Sequence, residues 1–187
     1  MRIGVYGGSF NPPHVVHAMV ASWLLWTDKV DEVWFVPVYQ HAFDGIQEKK
    51  LAPYEYRVQW CKALAQQIDA RIKVSEIESQ LPTPSYTIDT LSALSRRFPE
   101  HQFCLCVGAD VLPQLPQWKQ WSKIERLFHP IIVGRVGYES PKGCVSFPPV
   151  SSSDIREHLS KGSVPSDLLT RSVMVQIQTD NPYLKEV

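Results

Sequence analysis

Residues 7–17 read Gly-Gly-Ser-Phe-Asn-Pro-Pro-His-Val-Val-His. Glycines let a backbone approach an anion closely. Asn11-Pro12-Pro13 forces a turn and delays the next helix. A helix that starts near Val15 offers its free N–H groups to that anion. His14 and His17 stand three apart, so they share one face of the first helical turn and point toward the mouth of the site. Two isolated histidines would ordinarily be surface residues on a strand-to-helix turn. Here Gly7, Gly8, Ser9 and Phe10 coincide with both histidines behind the apolar run 3–6. That coincidence predicts a nucleotide-phosphate site. The stretch is no Walker motif, because no Gly-Lys-Ser/Thr follows. It is no dinucleotide fingerprint either: the glycine spacing is wrong, and the second apolar run ends Val36-Pro37-Val38 without an acid.

A second polar cluster, Val150-Ser151-Ser152-Ser153-Asp154-Ile155-Arg156, lies far down the chain. Serines ahead of a helix read as N-caps. Arg156 then projects from the first turn, where an anion also sits well. Between the two clusters lie Pro84-Ser85-Tyr86-Thr87-Ile88-Asp89-Thr90, Gly108-Ala109-Asp110, and Leu115-Pro116-Gln117-Trp118-Lys119-Gln120-Trp121. Trp118, in a polar setting just past an apolar run, suits an aromatic stacking platform. Trp121 suits the body of the fold.

These stretches carry a resemblance. The first and second clusters are similar to the G-x-F-(D/N)-P…H-x-x-H and I-S-S-T-x-I-R signatures of the nucleotidyltransferase superfamily. The three middle segments resemble the S-Y-T-x-D-T, G-A-D and L-P-x-W-x-x-W segments of bacterial nicotinate (nicotinamide) mononucleotide adenylyltransferases. Pantetheine-phosphate adenylyltransferases share the end motifs without the middle set. The resemblance runs from Ile3 to the final helices, with two departures. Val16 stands where many members have glycine, as a bulky residue also does in the nicotinamide-mononucleotide branch. The stretch from His41 to Lys50 lacks the common P-P-H-K.

The resemblance implies adenylyl transfer from ATP to a pyridine mononucleotide, with release of pyrophosphate. It implies that His14 and His17, partly or fully protonated near phosphates, would stabilise charge on the α-phosphate and the bridging oxygen. Arg156 with Ser152 and Ser153 would hold the β- and γ-phosphates, and Gly7, Gly8, Ser9 and Phe10 would line the cradle. Gly108 and Asp110 would meet the ribose hydroxyls, while Tyr86, Thr87 and Trp118 would form the pyridine pocket. Lys49, with Lys50 in reserve, would supply the loop lysine, and Arg57 would meet the mononucleotide phosphate. Mg²⁺ would be carried by ATP oxygens and water, without a protein carboxylate cluster. The choice between nicotinate and nicotinamide stays open. The rival readings are another adenylyltransferase and a non-catalytic nucleotide-binding relative.

The elements that would position these groups follow from apolar patterning. Strands are expected over 3–6, 32–38, 71–74, 102–107 and 130–134. Helices are expected over 15–27, 54–67, 87–97, 152–161 and 165–177. The alternation predicts an α/β fold: a Rossmann-like, doubly wound, mostly parallel sheet with helices on both faces. Ligands of such sheets sit outside the carboxyl ends of the strands. At 187 residues the chain predicts one domain, 1–187, with a helical portion from about 151. Its formal net charge is zero, which argues against nucleic acid or an anionic membrane as partner. No apolar run approaches a membrane span and the opening residues lack a secretory layout, so a cytoplasmic protein is expected. Cys61, Cys104, Cys106 and Cys144 form no two-pair ligand pattern and read as reduced, packed thiols. Self-association into a homo-oligomer is left open.

Overall fold

The computed structural model describes residues 1–41 and 51–184. In chain order the elements are β1 (Arg2–Gly8), α1 (Val15–Trp26), β2 (Glu32–Pro37), α2 (Tyr54–Ile68), β3 (Ile72–Val74), α3 (Thr87–Arg97), β4 (Gln102–Gly108), α4 (Trp121–Phe128), β5 (Ile131–Arg135), β6 (Ser146–Phe147), α5 (Ser152–Ser160) and α6 (Arg171–Thr179). Short 3₁₀ turns occupy Ile77–Gln80 and Ala109–Gln117.

The six strands form one parallel sheet in the order β3-β2-β1-β4-β5-β6. Central strands of such a sheet are covered on both faces, so they are apolar throughout rather than alternating. Phe103 to Val107 of β4 are buried without a break. One face carries α1, α2, α5 and α6 through Leu24, Leu64, Ile155, Leu159, Val173 and Ile177. The other carries α3 and α4 through Ile88, Leu91, Leu94, Ile124 and Phe128. The chain leaves β1 toward β2 on one side and returns to β4 on the other, so strand order reverses between β1 and β4. The crevice outside that reversal is where doubly wound folds bind ligands.

Several features differ from the sequence reading or were not predicted by it, α4, β6 and the 3₁₀ segments among the latter. β1 runs on to Gly8, and Gly7 and Gly8 pair with Val36 and Pro37, so both glycines are strand residues rather than turn residues. The last helix starts at Arg171 rather than 165. Residues 165–168 make a turn instead, and the Leu168 carbonyl accepts the Val15 N–H at 3.0 Å. A carbonyl inside a helix would be committed to its own ladder; this one satisfies an orphan donor of α1. The segment 109–117 is 3₁₀ because Pro113 and Pro116 lack the N–H an α-helix needs.

Candidate active site

The opening turn begins at Ser9. Phe10 adopts φ 45°, a left-handed conformation that costs a bulky residue free energy. Burial offsets that cost. The Phe10 ring is 1% exposed and meets Phe35, Tyr6 and His17 at centroid distances of 5.3, 5.9 and 4.9 Å. The expected contact of Phe10 with ATP is therefore corrected: its side chain belongs to the core and anchors the turn from below.

His14 precedes α1, and its backbone N–H donates to Nδ1 of His17 at 3.0 Å. That bond makes Nδ1 of His17 an acceptor and leaves the neutral ring's proton on Nε2. The two rings lie 3.9 Å apart. His14 is 6% exposed, and its Nδ1 is buried with no hydrogen-bond partner among the described residues. Burial, followed by the charge of Arg135, lowers His14 to about 4. Burial also holds His17 well below the ordinary range, with His14 and Arg135 adding to it. Burial therefore favours the neutral form of both rings where no anion lies beside them; the expectation of protonation concerns the rings beside phosphate.

The structure brings the two end clusters into contact. Ser151, not Ser152 or Ser153, caps α5: its Oγ accepts the Asp154 N–H at 3.1 Å. Ser152 is thereby free to reach across, and its hydroxyl donates to the Pro12 carbonyl at 3.0 Å. Arg156 donates to the Asn11 carbonyl at 2.8 Å and to Ser153 Oγ at 3.1 Å. The Asn11 side chain is buried and accepts the Ala52 N–H at 2.9 Å.

At the end of β4, Asp110 turns back over Gly108. A Cβ on Gly108 would stand 2.3 Å from Asp110 Oδ1, so an added side chain would push that carboxylate from its place. Asp110 accepts from Arg135 at 2.8 Å, and Arg135 also donates to the Val150 carbonyl at 2.9 Å. Sequence reasoning missed Arg135; the available signal was a cation at the end of an apolar run. A cavity of about 540 Å³ opens beside this pair, lined by Ala109, Leu112, Pro113, Tyr138 and Glu139. A smaller one, about 240 Å³, lies against Trp34, Lys73 and Arg97 and touches none of these groups.

Arg57 is not exposed to a ligand. It is 1% exposed and donates to three carbonyls: Ala52 at 3.0 Å, Ser9 at 3.0 Å and Val38 at 2.7 Å. The expected bond to the mononucleotide phosphate is corrected accordingly, because the guanidinium ties three loops together. Glu78, also missed, does the same from the opposite side. Its buried carboxylate accepts the Tyr39 N–H at 3.0 Å and the Thr90 hydroxyl at 2.9 Å. Between these braces, Ser9 Oγ and His41 Nε2 are hydrogen bonded at 2.8 Å, and the Ser85 N–H donates to the Gln40 carbonyl at 2.8 Å.

Tyr86 and Thr87 start α3. The Lys119 ammonium lies 4.5 Å from the centroid of the Tyr86 ring and pairs with Asp89 at 2.8 Å. This joins the Tyr86 and Trp118 segments. Trp118 is half-buried and meets Trp121 edge-on at 6.1 Å. Lys49 and Lys50 lie outside the described residues.

A parallel sheet whose strand order reverses at an anion-ready turn, with histidines and an arginine converging there, defines a nucleotide-handling α/β protein. The comparisons with known proteins agree. Residues 5–158 match the model of the cytidylyltransferase-like family. The chain is 40% identical over 172 residues to a protein of Myxococcus xanthus named probable nicotinate-nucleotide adenylyltransferase, covering 90% of this chain and 87% of that one. A protein of the same name from Anaeromyxobacter sp. is 36% identical over 185 residues, covering 97% and 96%. The fold matches Plasmodium falciparum nicotinic acid mononucleotide adenylyltransferase complexed with NaAD at a TM-score of 0.78 and 20% identity, covering 97% of each chain. The chain belongs to the cytidylyltransferase-like family and, within it, to the nicotinate-nucleotide adenylyltransferases. No helix among the described residues is long and apolar enough to cross a membrane.

Proposed function

We propose that this protein transfers the adenylyl group of ATP to nicotinate mononucleotide, giving the dinucleotide and pyrophosphate in NAD biosynthesis. The observation that carries the assignment of residues is the contact between the two end clusters, through Ser152 to Pro12 and Arg156 to Asn11. A triphosphate lying across the turn would meet groups from both. In the reaction an oxygen of the mononucleotide phosphate attacks the α-phosphorus, and the bond from that phosphorus to pyrophosphate breaks. Such chemistry asks the protein for positioning and for charge stabilisation.

His17 presents Nε2–H to the α-phosphate, since its Nδ1 is held by the His14 N–H. His14, whose Nδ1 has no partner among the described residues, takes the same anion. Bound phosphate opposes the burial that keeps both rings neutral, so substrate raises their proton affinity where charge builds up. Arg156, Ser153 and the start of α5 face the β- and γ-phosphates, and Gly7, Gly8 and Ser9 form the cradle's backbone. Gly108 and Asp110, with Arg135, receive the ribose. Tyr86 and Thr87 line the pyridine pocket, Trp118 stacks on the ring, and Lys49, with Lys50 in reserve, is the lysine assigned to the phosphates. Mg²⁺, held by ATP oxygens and water, would supply charge neutralisation on the triphosphate. The donor set fits that mode, because Asp110, a carboxylate at the end of β4, is already paired with Arg135. Arg57 acts by holding Ser9 and Ala52.

The test is pyrophosphate release from Mg-ATP with nicotinate mononucleotide, nicotinamide mononucleotide and phosphopantetheine in parallel. The nicotinate compound should support the fastest turnover. Turnover with phosphopantetheine alone would overturn the substrate assignment.

A further inference from the structure

Asn11 sits at the junction of the opening turn, and its side chain is held from a segment 172 residues away. The Tyr183 hydroxyl reaches Asn11 Oδ1 at 2.6 Å. The same oxygen accepts the Ala52 N–H, which can only donate, so the amide is oriented with its oxygen toward both and the Tyr183 hydroxyl must be the donor. Tyr183 is itself fixed. Its ring lies 5.9 Å from that of Trp60 in α2, and its N–H donates to Asn181 Oδ1 at 3.0 Å. The Asn181 amide in turn donates to the Leu159 carbonyl of α5 at 3.0 Å. Tyr56 of α2 bonds Asp180 beside it. The segment 180–184 therefore straps α2 and α5 together and ends on the turn that carries His14.

We propose that Tyr183 is a positioning residue for the triphosphate half of the site. Through its bond to Asn11 it holds the peptide whose carbonyl accepts Arg156 Nη1, and with it the approach to His14. This rests on the adenylyl-transfer reading for its kinetic consequence, but not for its effect on ATP binding. Burial raises the pKa of the phenol, against the smaller opposing pull of the Arg156 and Arg57 charges, so it stays a donor across the working pH range.

Tyr183→Phe deletes the hydroxyl and keeps the ring against Trp60. One hydrogen bond to a buried acceptor predicts about a fivefold loss of ATP affinity, measured by calorimetry with Mg-ATP. The KM for nicotinate mononucleotide should stay within about twofold of wild type, since that half of the site does not run through Asn11. Combining Tyr183→Phe with Arg156→Lys should cost less than the product of the two single losses, because both act on one peptide. Unchanged ATP affinity, an equal loss for both substrates, or strictly multiplicative effects would each overturn the proposal. Wild-type protein that binds ATP but makes no dinucleotide would sink the functional reading, and the ATP affinities would still decide the role of Tyr183.

Discussion

At the scale of residues, the site is built from groups whose chemistry is set by what surrounds them. A Cβ at Gly7 would meet nothing within 4 Å, so packing does not demand glycine there. Gly7→Ala should leave thermal stability near wild type and weaken ATP binding, because the added methyl stands where the cradle's backbone must approach phosphate. Equal ATP affinity in a titration would remove Gly7 from the cradle. His14 makes a second prediction. Its folded pKa, about 4, lies below the unfolded value of about 6.5, so between them the unfolded chain binds more protons. Stability contributed by the neutral ring is complete above about pH 6.5 and is lost as pH falls toward 4, to the extent of on the order of 3 kcal/mol. Urea unfolding at pH 7 and pH 5 should show about 2 kcal/mol of this loss from His14, and His14→Asn should reduce the pH dependence while leaving the part due to His17. The contact of His14 with His17 was legible from their spacing, and the approach of Arg156 to the opening turn was expected from the second cluster. Phe10 was misplaced because no spacing announces a left-handed φ, and Arg135 and Glu78 were missed because their partners, Asp110, Tyr39 and Thr90, lie elsewhere in the chain.

At the scale of elements, the apolar runs predicted β1 to β5 and α1, α2, α3 and α5 to within a few residues, but not α4, and the last helix starts later than expected. Failures fell where a non-local bond decides the local conformation. The turn at 165–168 survives because Leu168 is needed by Val15, and β6 has two residues that pair only because β5 lies beside them. Gly134 of β5 shows how close that pairing is. A Cβ there would stand 2.8 Å from the Val145 carbonyl, so Gly134→Ala should destabilise the protein by about 1–3 kcal/mol and should open the β6 edge first in hydrogen exchange. The loops are held by Arg57. A lysine in its place keeps the charge but cannot meet the Ala52, Ser9 and Val38 carbonyls together, so Arg57→Lys should lower stability by about 2–3 kcal/mol and loosen Ser9. A lysine variant as stable as wild type in urea would show that the brace is dispensable.

At the scale of the whole molecule, alternation of strands and helices predicted the fold class, but not strand order. Order depends on β1 pairing with β4 a hundred residues on, as in Ile3 beside Phe103. That pairing creates the reversal, and the reversal is why Gly8 and Gly108 open onto one crevice. The return of residues 151–156 to Asn11 and Pro12 then closes a site from both ends of the chain. The most direct test of the account follows the adenylyl group itself. Wild type and His17→Ala are incubated with Mg²⁺, nicotinate mononucleotide and ATP labelled at the α-phosphorus. The account predicts label in the dinucleotide with wild type, unlabelled pyrophosphate, and a loss of at least about a hundredfold in His17→Ala. Label released as AMP, or a dinucleotide formed equally well by His17→Ala, would contradict it.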